Sequence, residues 1–144
     1  MGHEDFGHYA QKHTDKSKPD DFLLNAVEEA SRDQMISCHS AHMIAQNYNV
    51  NPEKVGHAID FLEIKISKCQ LGLFGFGKGK KMIKSIDSVE LNIKEQIHKH
   101  IVENKLTCKS VWIIADESGK KRIEIANACE SLNIKISQCQ LGAF

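Results

Sequence analysis

Residues 62–74 read LEIKISKCQLGLF and residues 132–144 read LNIKISQCQLGAF, so one segment occurs twice in the chain. The two copies lie 70 residues apart and are identical at ten of thirteen positions. The same offset, applied without a gap, gives 15 identities over the 41 positions that pair residues 34–74 with residues 104–144. The sequence therefore predicts a tandem duplication of one structural unit.

Hydrophobic spacing predicts the same order of elements in both copies. A helix begins near Asp21, and its counterpart spans about residues 88–104, where apolar residues recur at intervals of four. A short apolar strand, a second helix, a tight turn and a third helix follow in each copy. Each copy then ends in a strand of alternating isoleucines, at positions 64 and 66 or 134 and 136.

This order of helix, strand, helix, turn, helix and strand resembles the winged helix-turn-helix family. The resemblance covers residues 22–77 and 88–144, and it implies a mainly α fold with small β elements (α+β). In that family the third helix enters the major groove of DNA and a strand hairpin, the wing, contacts phosphates. The resemblance thus implies recognition helices at residues 51–62 and 120–132, with a wing after the first terminal strand.

The flanking segments differ in composition from the two copies. Residues 1–21 are polar and are expected to form a flexible tail. Residues 78–87, which separate the copies, are rich in glycine and lysine and are interpreted as a basic linker or wing.

Cationic side chains cluster at two places that the resemblance assigns to DNA contact. Three open the second recognition helix, which also carries Asn127, and four lie in the linker. The candidate DNA-binding residues are therefore Lys120, Lys121, Arg122, Asn127, Lys78, Lys80, Lys81 and Lys84. Such contacts to phosphates provide affinity without sequence preference. The alternative is that the lysines only keep the linker soluble.

Two cysteine pairs recur with the duplication, Cys38 with Cys69 and Cys108 with Cys139, each 31 residues apart. Three interpretations stay open: small buried core residues, a zinc or iron–sulfur site between the copies, or a reversible disulfide in each unit. His39 and His42 would complete a ligand set in the first copy only. No cofactor is otherwise predicted, and Cys129, which replaces Ile59, is expected in the core.

Composition limits the classes of function. Lysine plus arginine equals aspartate plus glutamate, and neither a signal peptide nor a membrane span is expected, so we predict a cytoplasmic protein. Residues 72–78 approach a phosphate-binding loop, but Gly79 stands where serine or threonine would hold magnesium. No other catalytic set is evident, and no enzyme activity is predicted.

Two functions compete on these grounds. The first is a small DNA-binding protein, a transcriptional regulator whose two helix-turn-helix units act as a covalent pseudo-dimer on double-stranded DNA. The second is a protein-interaction module, or a thiol- or metal-dependent redox module that uses the paired cysteines. A protein partner or a homo-oligomer is the expected assembly in the second case.

Overall fold

The computed structural model describes residues 18–77 and 82–144. The first copy contains α1 (Asp21–Ala30), β1 (Met35–Ser37), α2 (Cys38–Tyr48), α3 (Pro52–Phe61) and β2 (Lys65–Ser67). The second copy repeats this order as α4 (Leu91–His100), β3 (Lys105–Thr107), α5 (Cys108–Ser118), α6 (Arg122–Ser131) and β4 (Lys135–Ser137). The predicted order of elements and the α+β class are confirmed, although α4 is shorter than the expected helix over residues 88–104. None of the described helices has the length and apolarity needed to cross a membrane.

Capping residues define the ends of α2 and α5. Ser37 precedes α2, and its side chain accepts a hydrogen bond from the backbone N–H of Ser40 at 3.1 Å. Thr107 caps α5 in the same way through Ser110, which satisfies a donor that the helix itself leaves unpaired. Asn49 (φ 54°) ends α2, and Gly119 (φ 70°) ends α5, both in the left-handed conformation that stops a helix.

The strands of each copy pair in parallel, β1 with β2 and β3 with β4, in the registers Ile36↔Ile66 and Leu106↔Ile136. Two helices separate the paired strands, and such a crossover returns the chain in the same direction. The resemblance instead implied a strand hairpin as the wing. Residues 68–77 and 82–90 contain no strand, and residues 78–81 of the expected wing lie outside the described part of the chain.

Each copy has a small core between its helices. In the first copy the three helices pack against one another and bury aliphatic side chains between them. Fully buried members of this core include Val27, Ile36, Val55, Ile59 and Ile66; their equivalents in the second copy include Ile97, Leu106, Ile125 and Cys129. Burying each such aliphatic side chain favours folding by about 1.5–3 kcal/mol.

The compact units do not coincide with the two sequence copies. Unit 1 comprises Met1–Cys69 together with Gln140–Phe144, and unit 2 comprises Gln70–Cys139. We call residues 70–74 the first QLG segment and residues 140–144 the second QLG segment. Each unit therefore includes the QLG segment that belongs, by sequence, to the other copy.

The second QLG segment packs closely on α3 in unit 1. Leu141 is 1% exposed and Ala143 is 3% exposed. A methyl group on Gly56 would overlap the carbonyl oxygen of Leu141 and lie 2.7 Å from its carbonyl carbon. Gly56 thus provides the space for this backbone contact, whereas the equivalent residue of unit 2 is Ala126, which is completely buried.

We therefore predict that Gly56→Ala displaces the second QLG segment, although alanine favours a helix over glycine. Overpacking of this kind costs about 1–3 kcal/mol of unfolding free energy. Hydrogen exchange should show faster amide exchange in residues 140–144, alongside a lower urea midpoint. Ala126→Gly is the matched control: it should cost about 1 kcal/mol through helix propensity and leave exchange in residues 140–144 unchanged. Unaltered exchange in the Gly56→Ala protein would contradict the proposed fit.

Candidate functional site

In unit 2, other parts of the chain pack along the predicted recognition helix α6. The first QLG segment lies at its start, where the Gln70 side-chain oxygen accepts a hydrogen bond from Arg122 at 2.9 Å. The side chain of Ile123 then lies against Gly72, since a methyl group there would meet its terminal carbon at 2.8 Å. The backbone N–H of Met82 donates to the Gly72 carbonyl at 2.7 Å, which brings the linker back to the same place.

Residues 82–86, which we call the strap, continue along α6. The backbone N–H of Lys84 donates to the Asn127 side-chain oxygen at 2.8 Å. One turn further, the backbone N–H of Ile86 donates to the Ser131 hydroxyl at 2.6 Å, and that hydroxyl lies 3.1 Å from the Ile86 carbonyl, to which it donates in turn. Positions 123, 127 and 131 form one stripe at helical spacing, so the strap and the first QLG segment cover this stripe.

The cations at the start of α6 are partly engaged within unit 2. The Arg122 guanidinium carbon lies 3.5 Å from the centroid of the Trp112 ring, in a cation–π contact. Lys120 forms an exposed ion pair with Glu90 at 3.1 Å, and the hydrogen bond and charge of Glu90 raise the pKa of Lys120. The side chain of Lys121 is exposed, while its backbone N–H donates to Glu124 at 2.7 Å.

The structure therefore places the eight candidate DNA-binding residues in three settings. Arg122 and Asn127 are occupied by contacts inside unit 2. Lys84, Lys120 and Lys121 keep their ammonium groups at or near the surface. The remaining three, Lys78, Lys80 and Lys81, lie outside the described residues.

The corresponding helix of unit 1 presents a different surface. Residues 53, 57 and 61 of α3 align by the 70-residue offset with the α6 stripe. Glu53 is exposed and His57 is half-buried. Phe61 is 41% exposed, where unit 2 has Ser131. The equivalent stripe of unit 1 thus has an acidic start and an apolar end.

Two further aromatic side chains are exposed in unit 1. Phe22 at the start of α1 is 42% exposed, and Tyr48 at the end of α2 is 48% exposed. Their ring centroids are 5.2 Å apart at an interplanar angle of 44°, within the range of favourable aromatic pairs. Sequence reasoning missed both residues and Phe61, although the offset pairs them with polar residues: Asn92, Ser118 and Ser131.

The cysteines do not form an exposed reactive centre. Cys38 and Cys108 are the first residues of α2 and α5, and Cys69 and Cys139 follow the terminal strands. Four of the five cysteines are buried, and Cys139 is partly exposed. Among the described residues, no group of three His, Cys, Asp or Glu is placed to hold a metal ion. His42 is buried on α2, and His39 is exposed.

Cys129 lies in the core of unit 2, as expected, and its burial raises the pKa of its thiol to about 12. A folded-state pKa above the unfolded value near 9 keeps the thiol protonated while the unfolded chain ionises. We predict that the free energy of unfolding decreases between pH 9 and 12 by up to about 1.4 kcal/mol per pH unit from this group. Below pH 9 it contributes no pH dependence.

Other groups also titrate in alkali, so the measurement is the difference between the wild-type protein and Cys129→Val in urea unfolding across this pH range. The free energy of unfolding of the wild-type protein minus that of Cys129→Val should decrease as the pH rises above 9. A difference that stays constant over this range would show that the thiol is not desolvated as described.

No family model matches the chain, and it has no significant match among curated proteins or solved structures.

Proposed function

We propose that the protein is a protein-interaction module that binds an extended segment of a partner protein on unit 1. The observation that carries the proposal is a difference between the two copies of one fold. Three exposed aromatic side chains of unit 1, Phe22, Tyr48 and Phe61, stand where unit 2 has asparagine or serine.

The fold does not require aromatic residues at these positions, because unit 2 builds the same helices and strands without them. Exposed aromatic side chains are unfavourable in water and are enriched at protein interfaces. Their presence in one copy alone supports a binding role for that copy.

Unit 2 provides an example of how the third helix holds a segment. There the strap lies along α6 and is fixed by hydrogen bonds from its backbone to Asn127 and Ser131. Backbone hydrogen bonds position an extended segment, and pockets or apolar patches then select its side chains. On α3 the exposed ring of Phe61 replaces the hydroxyl of Ser131, so the segment it binds requires an apolar side chain at that point.

Charge further restricts the partner. In residues 18–69, aspartate and glutamate outnumber lysine and arginine, and the stripe on α3 begins with exposed Glu53. Asp20 and Asp21 precede the exposed Phe22 at the start of α1. A partner segment with an apolar centre and flanking basic residues complements this surface, since opposite potentials steer association and disfavour other partners.

Double-stranded DNA is the second candidate partner, on a separate observation in unit 2. Lys121 at the start of α6 and Lys84 in the strap keep exposed ammonium groups, and Lys120 precedes Lys121 in the sequence. Cations at the start of such a helix suit phosphate contacts. In this proposal the protein would be a regulator that binds DNA mainly through backbone phosphates, because the Asn127 oxygen already accepts from the strap.

The interaction proposal is tested by selecting binders from a random peptide library displayed on phage. Selected peptides should contain apolar and basic residues, and their affinity should decrease at least roughly tenfold for Phe61→Ser, a loss of about 1.4 kcal/mol. Leu91→Ser in unit 2 is the matched control, since Leu91 is 71% exposed, and it should leave the affinity unchanged. Peptides that bind both variants equally, or an absence of selected peptides, would refute the proposal.

The DNA proposal predicts a separate result in fluorescence anisotropy with a labelled random-sequence duplex. Affinity should fall roughly 10- to 1000-fold between about 50 and 200 mM salt, because each phosphate contact releases counterions. Lys120→Glu combined with Lys121→Glu should abolish this binding, whereas Phe61→Ser should not alter it. Salt-independent binding, or none at low salt, would exclude DNA as a partner.

A further inference from the structure

The close packing of Leu141 on Gly56 defines a binding groove on α3 of unit 1. We propose that this groove accepts the second QLG segment of another copy of the chain, so that two molecules associate by exchanging residues 140–144. This inference is independent of the partner proposed above, because the groove is a different part of α3 from the exposed ring of Phe61.

The contact has the properties of a specific segment-binding site. Leu141 and Ala143 are buried as anchors, and Gly142 (φ 81°) places the backbone between them in a left-handed conformation that suits glycine. Gly56 lets the Leu141 carbonyl approach the helix more closely than any other residue type allows. The site therefore selects both a leucine side chain and a close backbone path.

The duplication provides a second instance of a QLG segment on a third helix, although Ala126 stands there at the position of Gly56. In unit 2 the first QLG segment packs on α6, with Leu71 completely buried and Gln70 hydrogen-bonded to Arg122. Each unit is thus completed by a segment that comes from outside its own copy. A unit of this kind needs a QLG segment from outside its own sequence copy. The same contacts form whether that segment belongs to the same molecule or to another one.

Exchange between molecules is a low-cost route to association, because the same contacts form in either case. Within one chain the tethered segment is present at a high effective concentration and outcompetes a free one. Exchange should therefore be weak in the wild-type protein and strong when one molecule has an empty groove and another has an undocked segment.

Two variants of the full chain create this situation. Leu141→Asp retains the groove but carries a segment that cannot be buried. Gly56→Ala retains the segment but obstructs the groove. When mixed in equal amounts, they should form a heterodimer of twice the mass of one chain in size-exclusion chromatography with light scattering, while each alone shows far less dimer. The double variant Gly56→Ala with Leu141→Asp, mixed with wild type, is the control and should stay monomeric.

A direct binding measurement accompanies the mixing experiment. A labelled synthetic peptide with the sequence of residues 137–144 should bind Leu141→Asp and bind the double variant at least roughly tenfold more weakly. If circular dichroism shows that Leu141→Asp is unfolded, Leu141→Ala serves as the acceptor. Folded acceptors that neither bind the peptide nor form the heterodimer would overturn the proposal.

Discussion

The packing of a QLG segment against the third helix is the constraint on which the rest of each unit depends. Each described sheet contains two strands of three residues. A sheet of this size is not stable without packing against other elements. Leu141 in unit 1 and Leu71 in unit 2 add buried apolar side chains to these cores. Because each leucine is followed by a glycine with positive φ, the chain turns immediately after its anchor. The ten identities that mark the duplication are thus concentrated in the strand and segment that complete the core.

The two copies act as controls for each other. Features that both retain, such as the capping residues Ser37 and Thr107 and the buried leucines, serve the shared fold. Features present in only one copy give the two units different surface chemistry. Unit 2 stacks Arg122 on Trp112 where unit 1 has Pro52 and the buried His42. Unit 1 exposes Phe61 where unit 2 uses Ser131 to hold the strap. The third helix therefore has one role in the core of both units and different roles on their surfaces.

Sequence periodicity predicted most of the fold, because burial follows a local pattern of apolar residues. The order of helices and strands, the core position of Cys129 and the tight turn before the third helix were predicted in this way. The parallel pairing of Ile36 with Ile66 and the reversal at Asp33 and Gln34, both with positive φ, were not. They depend on tertiary contacts and on a turn that lacks the usual glycine. The placement of each QLG segment in the other unit was also not predicted, since the two segments differ at only one of five positions and their sequences do not show which third helix each contacts. Of the site, the lysines that precede α6 were found from charge, while Phe61 required the comparison of aligned exposed positions after burial was known.

Binding of DNA and binding of a chain segment make opposite demands on the outer stripe of α6. A recognition helix inserts its exposed side chains into the major groove, which needs the stripe to be free over several turns. In unit 2 the strap fixes Asn127 and Ser131 through backbone hydrogen bonds of 2.8 and 2.6 Å, each worth about 0.5–1.5 kcal/mol net. Releasing the strap would lose both hydrogen bonds. Insertion of α6 into DNA would have to offset this cost before any base was read. A segment bound on the exposed α3 stripe displaces no strap, so among the described surfaces the third helix of unit 1 is the less costly place for a partner.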